Sequence, residues 1–459
     1  MATVDASIVN VALPVLAQKL SVDTAKIAWV VSIYLLIQVA TLLYFGRLGD
    51  RLGRARVFLF GVLLFTFGSV LCSFSQTFPI LIAARILQSI GASATLANNQ
   101  AIISQAFGDG ERGRALGING AFVALGTLIG PSLGGFILSV ADWHFLFWIN
   151  VPIGILVLIA GIYFFPKDVR ASGKTDVPGS LLFAVAMIAF FLPLQEIQTL
   201  GFSHPLIWTG FAVGILLFLL FIRRQKTAAE PLLNLALFHN RWFMISLGCA
   251  FASFVAISCY SLLQPFYLES VRLMSPAAAG LFMSIYPLVL AVISPLSGYL
   301  SDKFGPQRLT VIGLSVTALG LLLMSFLGIS TPLPLVAVFV VFMSLGNGMF
   351  QSPNTVIVMS SVRPEQRGVA GSMNALARTT GQSVGIALTN VLLYSGISMT
   401  LGRHVTDFPH EKPEAFLTGM EWAYWTGFAV CLIGLSITAF RLFRQPKGKN
   451  AKKKQEPNH

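Results

Sequence analysis

Fourteen stretches of 17 to 30 mostly apolar residues, separated by short polar or charged segments, leave this 459-residue chain few folds to adopt. An α-helix needs about 20 apolar residues to cross a bilayer core roughly 30 Å thick, and the backbone groups in that core must be satisfied within the segment. The stretches lie near 1–17, 27–46, 57–75, 79–104, 114–139, 145–165, 178–199, 205–223, 242–268, 276–300, 309–328, 332–358, 368–397 and 420–443. Only 11% of residues are charged and 55% are hydrophobic, and no stretch is long or polar enough to make a separate soluble domain, so the expectation is an all-α polytopic membrane protein.

The chain also repeats itself. Gly46-Arg47-Leu48-Gly49-Asp50-Arg51-Leu52-Gly53-Arg54 returns 252 residues later as Gly298-Tyr299-Leu300-Ser301-Asp302-Lys303-Phe304-Gly305-Pro306. Glu111 and Glu365 are 254 apart, and the pair Gly126 and Gly130 is mirrored at 255 by Gly381 and Gly385. So steady an offset predicts two pseudo-symmetric six-helix bundles, a plan found chiefly in transporters. Pairing the first six stretches with the last six leaves the seventh and eighth as an inserted hairpin. The expected division is 1–166 for the N-terminal bundle, 167–240 for linkers and hairpin, 241–445 for the C-terminal bundle and 446–459 for a basic tail.

Basic residues orient the bundle, since cytoplasmic loops retain them in excess. Of the 31 Lys and Arg, 24 fall in the loops and tail of one face, five (Lys19, Lys26, Arg272, Arg403, Lys412) on the other, and two (Arg85, Arg378) within stretches. Both termini are expected to be cytoplasmic. The net charge of +13 then faces anionic membrane lipid and needs no nucleic acid to explain it. Cys72, Cys249, Cys259 and Cys431 all fall within apolar stretches without metal-ligand spacing and read as packing residues. No Walker-type loop and no histidine cluster supports an ATP-driven pump or an enzyme. No cofactor or metal is expected, the partners are a small-molecule substrate and protons, and a monomer is the default.

The first stretch is short. Asp5 lies about 18 Å of helix from the external end near Ala17, which places it near the bilayer midplane, yet only four residues precede it where roughly ten are needed. The expectation is therefore that either Met1 is a late start or the first helix has been truncated.

The motifs carry a resemblance. The Gly46 to Arg54 loop resembles the signature between helices two and three of the major facilitator superfamily. Asp5-Ala6-Ser7-Ile8-Val9-Asn10-Val11-Ala12-Leu13-Pro14 resembles the first-helix motif of its fourteen-helix exporters. Gly126-Thr127-Leu128-Ile129-Gly130-Pro131-Ser132-Leu133-Gly134-Gly135 resembles the fifth-helix antiporter motif, and 143–154 the sixth-helix entry. The chain thus resembles a fourteen-helix drug:proton antiporter over nearly its whole length, which implies proton-driven efflux by alternating access. Pro306 stands in the second loop where a basic residue is usual, which weakens the case for a switching role there.

The candidate residues follow. Asp50 is expected to open the third helix, where a carboxylate favours the positive dipole end, with Arg47, Arg51, Arg54 and Arg56 around it. With Gly46, Gly49, Gly53 and the second copy's Asp302, this cluster is the expected gate, holding the cytoplasmic helix ends together in one transport state; plain positive-inside anchoring is the alternative. Gly126, Gly130, Pro131, Gly134 and Gly135 are expected to form a packing hinge on helix five. Asp5 is the candidate for proton binding, for pairing with a cationic substrate, or for both. An ionisable group at mid-bilayer costs at least about 2.5 kcal/mol on insertion scales, so it needs a reason to be there. Arg85, on one helix face with Gln88 and Asn99, resembles the family's fourth-helix arginine, although Ser89 replaces the usual glycine; a purely structural Asp5–Arg85 pair is the competing reading. Arg378 is a possible second-half counterpart. Gln38, Gln88 and Asn99, with Asn10, Asn98, Asn347, Asn354 and Asn374, could line a cavity or bond helix to helix. The expected cargo is an amphipathic, cationic compound; an endogenous metabolite, lipid or peptide is the alternative, ahead of a facilitative importer or a non-transporting sensor.

Overall fold

The computed structural model describes residues 1–22, 27, 29–108, 111–165, 176–200, 204–228, 231–233, 235–402 and 413–443. These form long helices and no strand. In chain order the long helices are α1 (Ala2–Lys19), α2 (Trp29–Leu52), α3 (Arg54–Ser73), α4 (Phe78–Ala106), α5 (Arg112–Val140), α6 (Asn150–Phe164), α7 (Val177–Leu200), α8 (Pro205–Thr227), α9 (Arg241–Phe266), α10 (Ile285–Phe304), α11 (Pro306–Ser325), α12 (Leu333–Ser360), α13 (Arg367–Leu401) and α14 (Pro413–Phe443). Thirteen described spans are long and apolar enough to cross a bilayer, and the 18-residue α1 adds a fourteenth helix.

Three stretches differ from the expectation. The sixth is broken near Ile149, where the one-turn helix Phe145–Trp148 precedes α6. The tenth is broken at Ser284, between helix Pro276–Met283 and α10. The last begins at Pro413, seven residues before the apolar run, because Glu414 suits a helix N-terminus. Elsewhere turn chemistry sets the ends. Gly53 (φ 111°) separates α2 from α3, and Gly305 (φ 87°) separates α10 from α11. Only glycine adopts such angles without strain, so each copy of the repeated loop is a hard break between two helices.

In the first half α3 packs on α4 and α1 on α5; in the second α11 packs on α12 and α9 on α13. The halves meet along α5 against α10 and α2 against α13. Each half has its own buried cluster, one around Leu16, Leu81, Trp143 and Phe147, the other around Tyr267, Leu321, Met343 and Phe416. Large side chains such as Phe122, Ile162 and Phe164 point outward, as they must where the solvent is lipid.

Helices α7 and α8 pack on each other, and α7 leans on α2 and α13. Asp176 ties this hairpin together. Its Oδ1 accepts the Gly179 N–H at 3.0 Å and Arg224 Nη2 at 2.7 Å, and Gln225, which donates to Oδ2, accepts the Leu233 N–H. Burial pushes the Asp176 carboxyl up, but these donors outweigh it and hold the group below the usual carboxylate range.

Candidate functional site

The repeated loops do not act where the sequence places them. Asp50 lies in the last turn of α2, not at the start of α3, and its carboxylate reaches across to the other half. Oδ1 accepts the Gly368 N–H and Oδ2 the Val369 N–H, both at 3.0 Å, so Asp50 caps the first turn of α13. Arg54 donates to Asp50 Oδ1 from Nε and Nη2 at 3.0 and 2.8 Å, and to the Pro364 carbonyl at 2.7 Å. Arg51 sits half-buried beside it. The reason is steric as well as electrostatic. A Cβ on Gly46 would stand 1.7 Å from Ser372 Oγ, and one on Gly49 1.8 Å from Asn98 Oδ1, so the glycines let α2 approach its neighbours closely enough for the carboxylate to reach.

Asp302 makes the reciprocal contact despite Pro306. Its two oxygens accept the Gly113 and Arg114 N–H groups, each at 2.9 Å, which caps α5. A Cβ on Gly298 would lie 2.1 Å from the Gly113 carbonyl. The second loop therefore departs in sequence but keeps the contact, because the capping group is the carboxylate and the basic residue is dispensable to it. Arg367 adds a further link between halves by donating to the Ser104 carbonyl at 3.0 Å. All these contacts lie at the end of the bundle that carries the basic loops, and they close it.

Asp5 is 1% exposed in the first turn of α1. Its oxygens accept Arg85 Nη1 at 2.6 Å, Gln88 Nε2 at 2.9 Å and Asn150 Nδ2 at 2.8 Å. Arg85 also donates to Gln88 Oε1 and to the Val30 carbonyl, and lies 4.3 Å over the Tyr34 ring. Four helices thus converge on one ion pair. Gln88 belongs to it and not to a cavity, because its amide is needed to complete the carboxylate's bonds. Asn150 was not singled out from the sequence; its place at the start of α6 gives no periodic signal. Asn99, the third residue of the expected face, donates to Asn119 on α5 at 3.0 Å. Gln38 is buried on α2, where its carbonyl accepts from Ser93.

The hinge motif divides. On Gly126 a Cβ would lie 2.7 Å from Thr3 Oγ1, and on Gly130 1.9 Å from Ser7 Oγ, both on α1. Gly134 has ordinary room and Gly135 has nothing within 4 Å, so those two are not required by close packing. The Pro131 and Asn10 side chains lie outside the described residues. The repeat equivalents Gly381 and Gly385 press on the Phe251 and Val255 carbonyls of α9, which makes α9 the counterpart of α1.

Between the halves lies a cavity of about 30 Å³ bordered by Gln100, Asn119, Ser294, Gln351, Thr355 and Arg378, among others. Arg378 donates to Gln351 at 3.1 Å and is not paired with a counterpart of Asp5. Asn374 donates to Gln100 and Thr355, while Asn98 and Asn354 donate to carbonyls of neighbouring helices and serve packing. Arg441, in the last turn of α14, is buried and donates to Ser246 and Thr310.

Comparison with known proteins agrees with this arrangement. A family model described as Major Facilitator Superfamily matches residues 1–386 and again 246–459. The chain is 35% identical over 455 residues to the riboflavin transporter RibZ of Clostridioides difficile (strain 630), covering 97% of this chain and 96% of that one. It is 31% identical over 411 residues to the multidrug resistance protein Stp of Mycobacterium tuberculosis (strain CDC 1551 / Oshkosh), covering 88% and 76%. Its fold matches that of the proton:xylose symporter XylE with a TM-score of 0.68 at 15% identity, over 97% of this chain and 93% of that one. An all-helical bundle of membrane length, its loops repeated and crossed between two halves, and a family model matching most of its length leave one conclusion: the chain belongs to the Major Facilitator Superfamily.

Proposed function

We propose that this transporter exports amphipathic small molecules across the cytoplasmic membrane by alternating access, in exchange for protons, as a member of the fourteen-helix drug:proton antiporter branch. The observation that carries the reading is the Asp5 cluster. A carboxylate enclosed at membrane depth by Arg85, Gln88 and Asn150 is a group whose protonation would break an ion pair and loosen the joint of α1, α2, α4 and α6, which is the link a coupled carrier needs. The direction is supported by the similarity to a multidrug resistance protein and by the fifth-helix motif. Positive-inside orientation places the closed, basic end of the bundle in the cytoplasm, so the gate formed by Asp50 and Asp302 would be the inner one.

The expected preference for cations is not retained. Asp5 already faces a guanidinium, so a cationic substrate would have to displace Arg85 from a 2.6 Å bond. A second reading, carriage of a flavin-like metabolite, is favoured by the 35% identity to a riboflavin transporter.

Everted membrane vesicles test the proposal. With riboflavin and a panel of drug-like dyes as candidate cargo, accumulation should rise with an imposed proton gradient and collapse on adding a protonophore. Accumulation that survives the protonophore and stops only on ATP depletion would refute antiport.

A further inference from the structure

The cavity between the halves carries a charge that neither half neutralises. Arg378 projects from α13 to its wall; Nη2 donates to Gln351 Oε1 at 3.1 Å, and the guanidinium lies 4.7 Å over the Phe254 ring. Among the described residues no carboxylate stands within ion-pair distance of it. An amide and an aromatic face compensate a half-buried guanidinium only in part. From Gln351 the polar chain continues along α12, with Gln351 Nε2 donating to Asn347 Oδ1 at 2.9 Å and Asn347 Nδ2 to Tyr286 Oη at 2.6 Å. Tyr286 stacks on Tyr260 with ring centroids 5.0 Å apart. Several buried polar atoms nearby in the second half lack partners, among them Tyr260 Oη, both amide atoms of Gln264 one helical turn further along α9, and Asn374 Oδ1.

A planar guanidinium presents parallel N–H groups that fit a carboxylate, phenolate or imide edge, and a pair of stacked tyrosines offers a face for an aromatic ring. We propose that this cavity selects planar aromatic compounds bearing an anionic or strongly accepting edge and discriminates against cations. Arg378 is the recognising charge, and Gln351 and Asn347 extend the site along α12 to Tyr286 on α10. The inference rests on the reading of the chain as a small-molecule carrier and adds the substrate class. At about 30 Å³ the space now holds no more than about one water, so the ligand enters as the halves part.

Fluorescein and the methyl ester of tetramethylrhodamine share a xanthene ring and carry opposite charge at neutral pH. Binding of each to the purified full-length protein in detergent, read by fluorescence anisotropy, decides the matter. Fluorescein should bind at least about tenfold tighter, a difference that Arg378→Gln should abolish and Arg378→Lys should keep in order. Gln351→Leu, which cuts the polar chain and leaves the charge, should weaken fluorescein severalfold without affecting the cation. It also serves if Arg378→Gln fails to elute as a single species. Failure of fluorescein to bind, equal or tighter binding of the cation, or an unchanged ratio in both Arg378→Gln and Gln351→Leu overturns the assignment. Binding in detergent needs neither gradient nor direction, so this result and the vesicle result can fail independently.

Discussion

Asp50 and Asp302 stand at equivalent positions of the two halves, and each carboxylate accepts two backbone N–H bonds from the first turn of a helix in the opposite half. A carboxylate at a helix start satisfies donors that have no partner inside the helix and lies at the positive end of its dipole. The two aspartates therefore make charge-to-backbone contacts related by the internal repeat, beside the bonds of Arg54 and Arg367 to the Pro364 and Ser104 carbonyls.

Replacing either aspartate by asparagine removes the charge and keeps the shape. Each change should destabilise the closed end by about 1 kcal/mol, which raises the open fraction about fivefold. Labelling of Ser352→Cys, whose parent hydroxyl donates to the Gly113 carbonyl across the interface, by a thiol reagent would report this; the native cysteines are buried. Labelling rates that do not change in Asp50→Asn or Asp302→Asn would remove these residues from the gate.

The Asp5–Arg85 pair should behave as a unit. Arg85→Gln leaves a buried carboxylate without its cation and should cost roughly 3–5 kcal/mol. The double variant Asp5→Asn/Arg85→Gln should melt higher than Arg85→Gln alone, because a neutral amide pair needs no counter-charge. Asp5→Asn alone should insert normally yet lose gradient-driven transport. Melting shifts that simply add in the double variant would mean that the two residues are not coupled.

Gly130 and Gly135 lie five residues apart in one motif and should respond in opposite ways. A methyl on Gly130 meets Ser7 Oγ at 1.9 Å and Ser7 Cβ at 2.7 Å, whereas one on Gly135 meets nothing within 4 Å. Gly130→Ala should lower stability by about 1–3 kcal/mol through overpacking, and Gly135→Ala should be neutral or slightly stabilising. Thermal unfolding in detergent separates them; equal shifts would show that α1 does not sit against Gly130.

Asp176 gives a pH dependence with a definite sign. Its carboxyl titrates below the ordinary value in the folded chain, so its contribution is fully present above about pH 4, the ordinary carboxylate value, and is lost as pH falls through the lowered value. Stability between neutral pH and about pH 5 should not change on its account, while Asp176→Asn should cost on the order of 1 kcal/mol throughout that range by weakening the cap of α7. A wild-type melting curve that falls between neutrality and pH 5 by the amount lost in Asp176→Asn would contradict this.

The helices and the repeat were legible because lipid imposes a length and a polarity that any sequence must display. The broken sixth and tenth stretches were not, since the apolar run continues across each break and Pro152 and Pro287, three residues beyond Ile149 and Ser284, are tolerated within membrane helices. Within the site, the proximity of Asp5 and Arg85 could be weighed from their depth and charge. Asn150 could not, because one polar residue at a helix start looks like any other. Asp50 was the instructive error: a carboxylate beside a helix start in sequence suggested a local cap, whereas its acceptors meet amides 318 and 319 positions away. Periodicity describes one helix at a time and says nothing about which neighbour it will touch. Gly46 and Gly298 hold the missing information, since a glycine inside a helix marks a close crossing, but not the identity of the partner.

The exchange of caps between the halves also constrains how the molecule can move. Each aspartate belongs to one rigid body and its amides to the other, so rocking about an axis within the interface stretches both contacts at once. A swing that parts the halves at this end has to give up all four amide bonds. Duplication has thus set two like clasps side by side, so that the open and closed arrangements are separated by the loss of both.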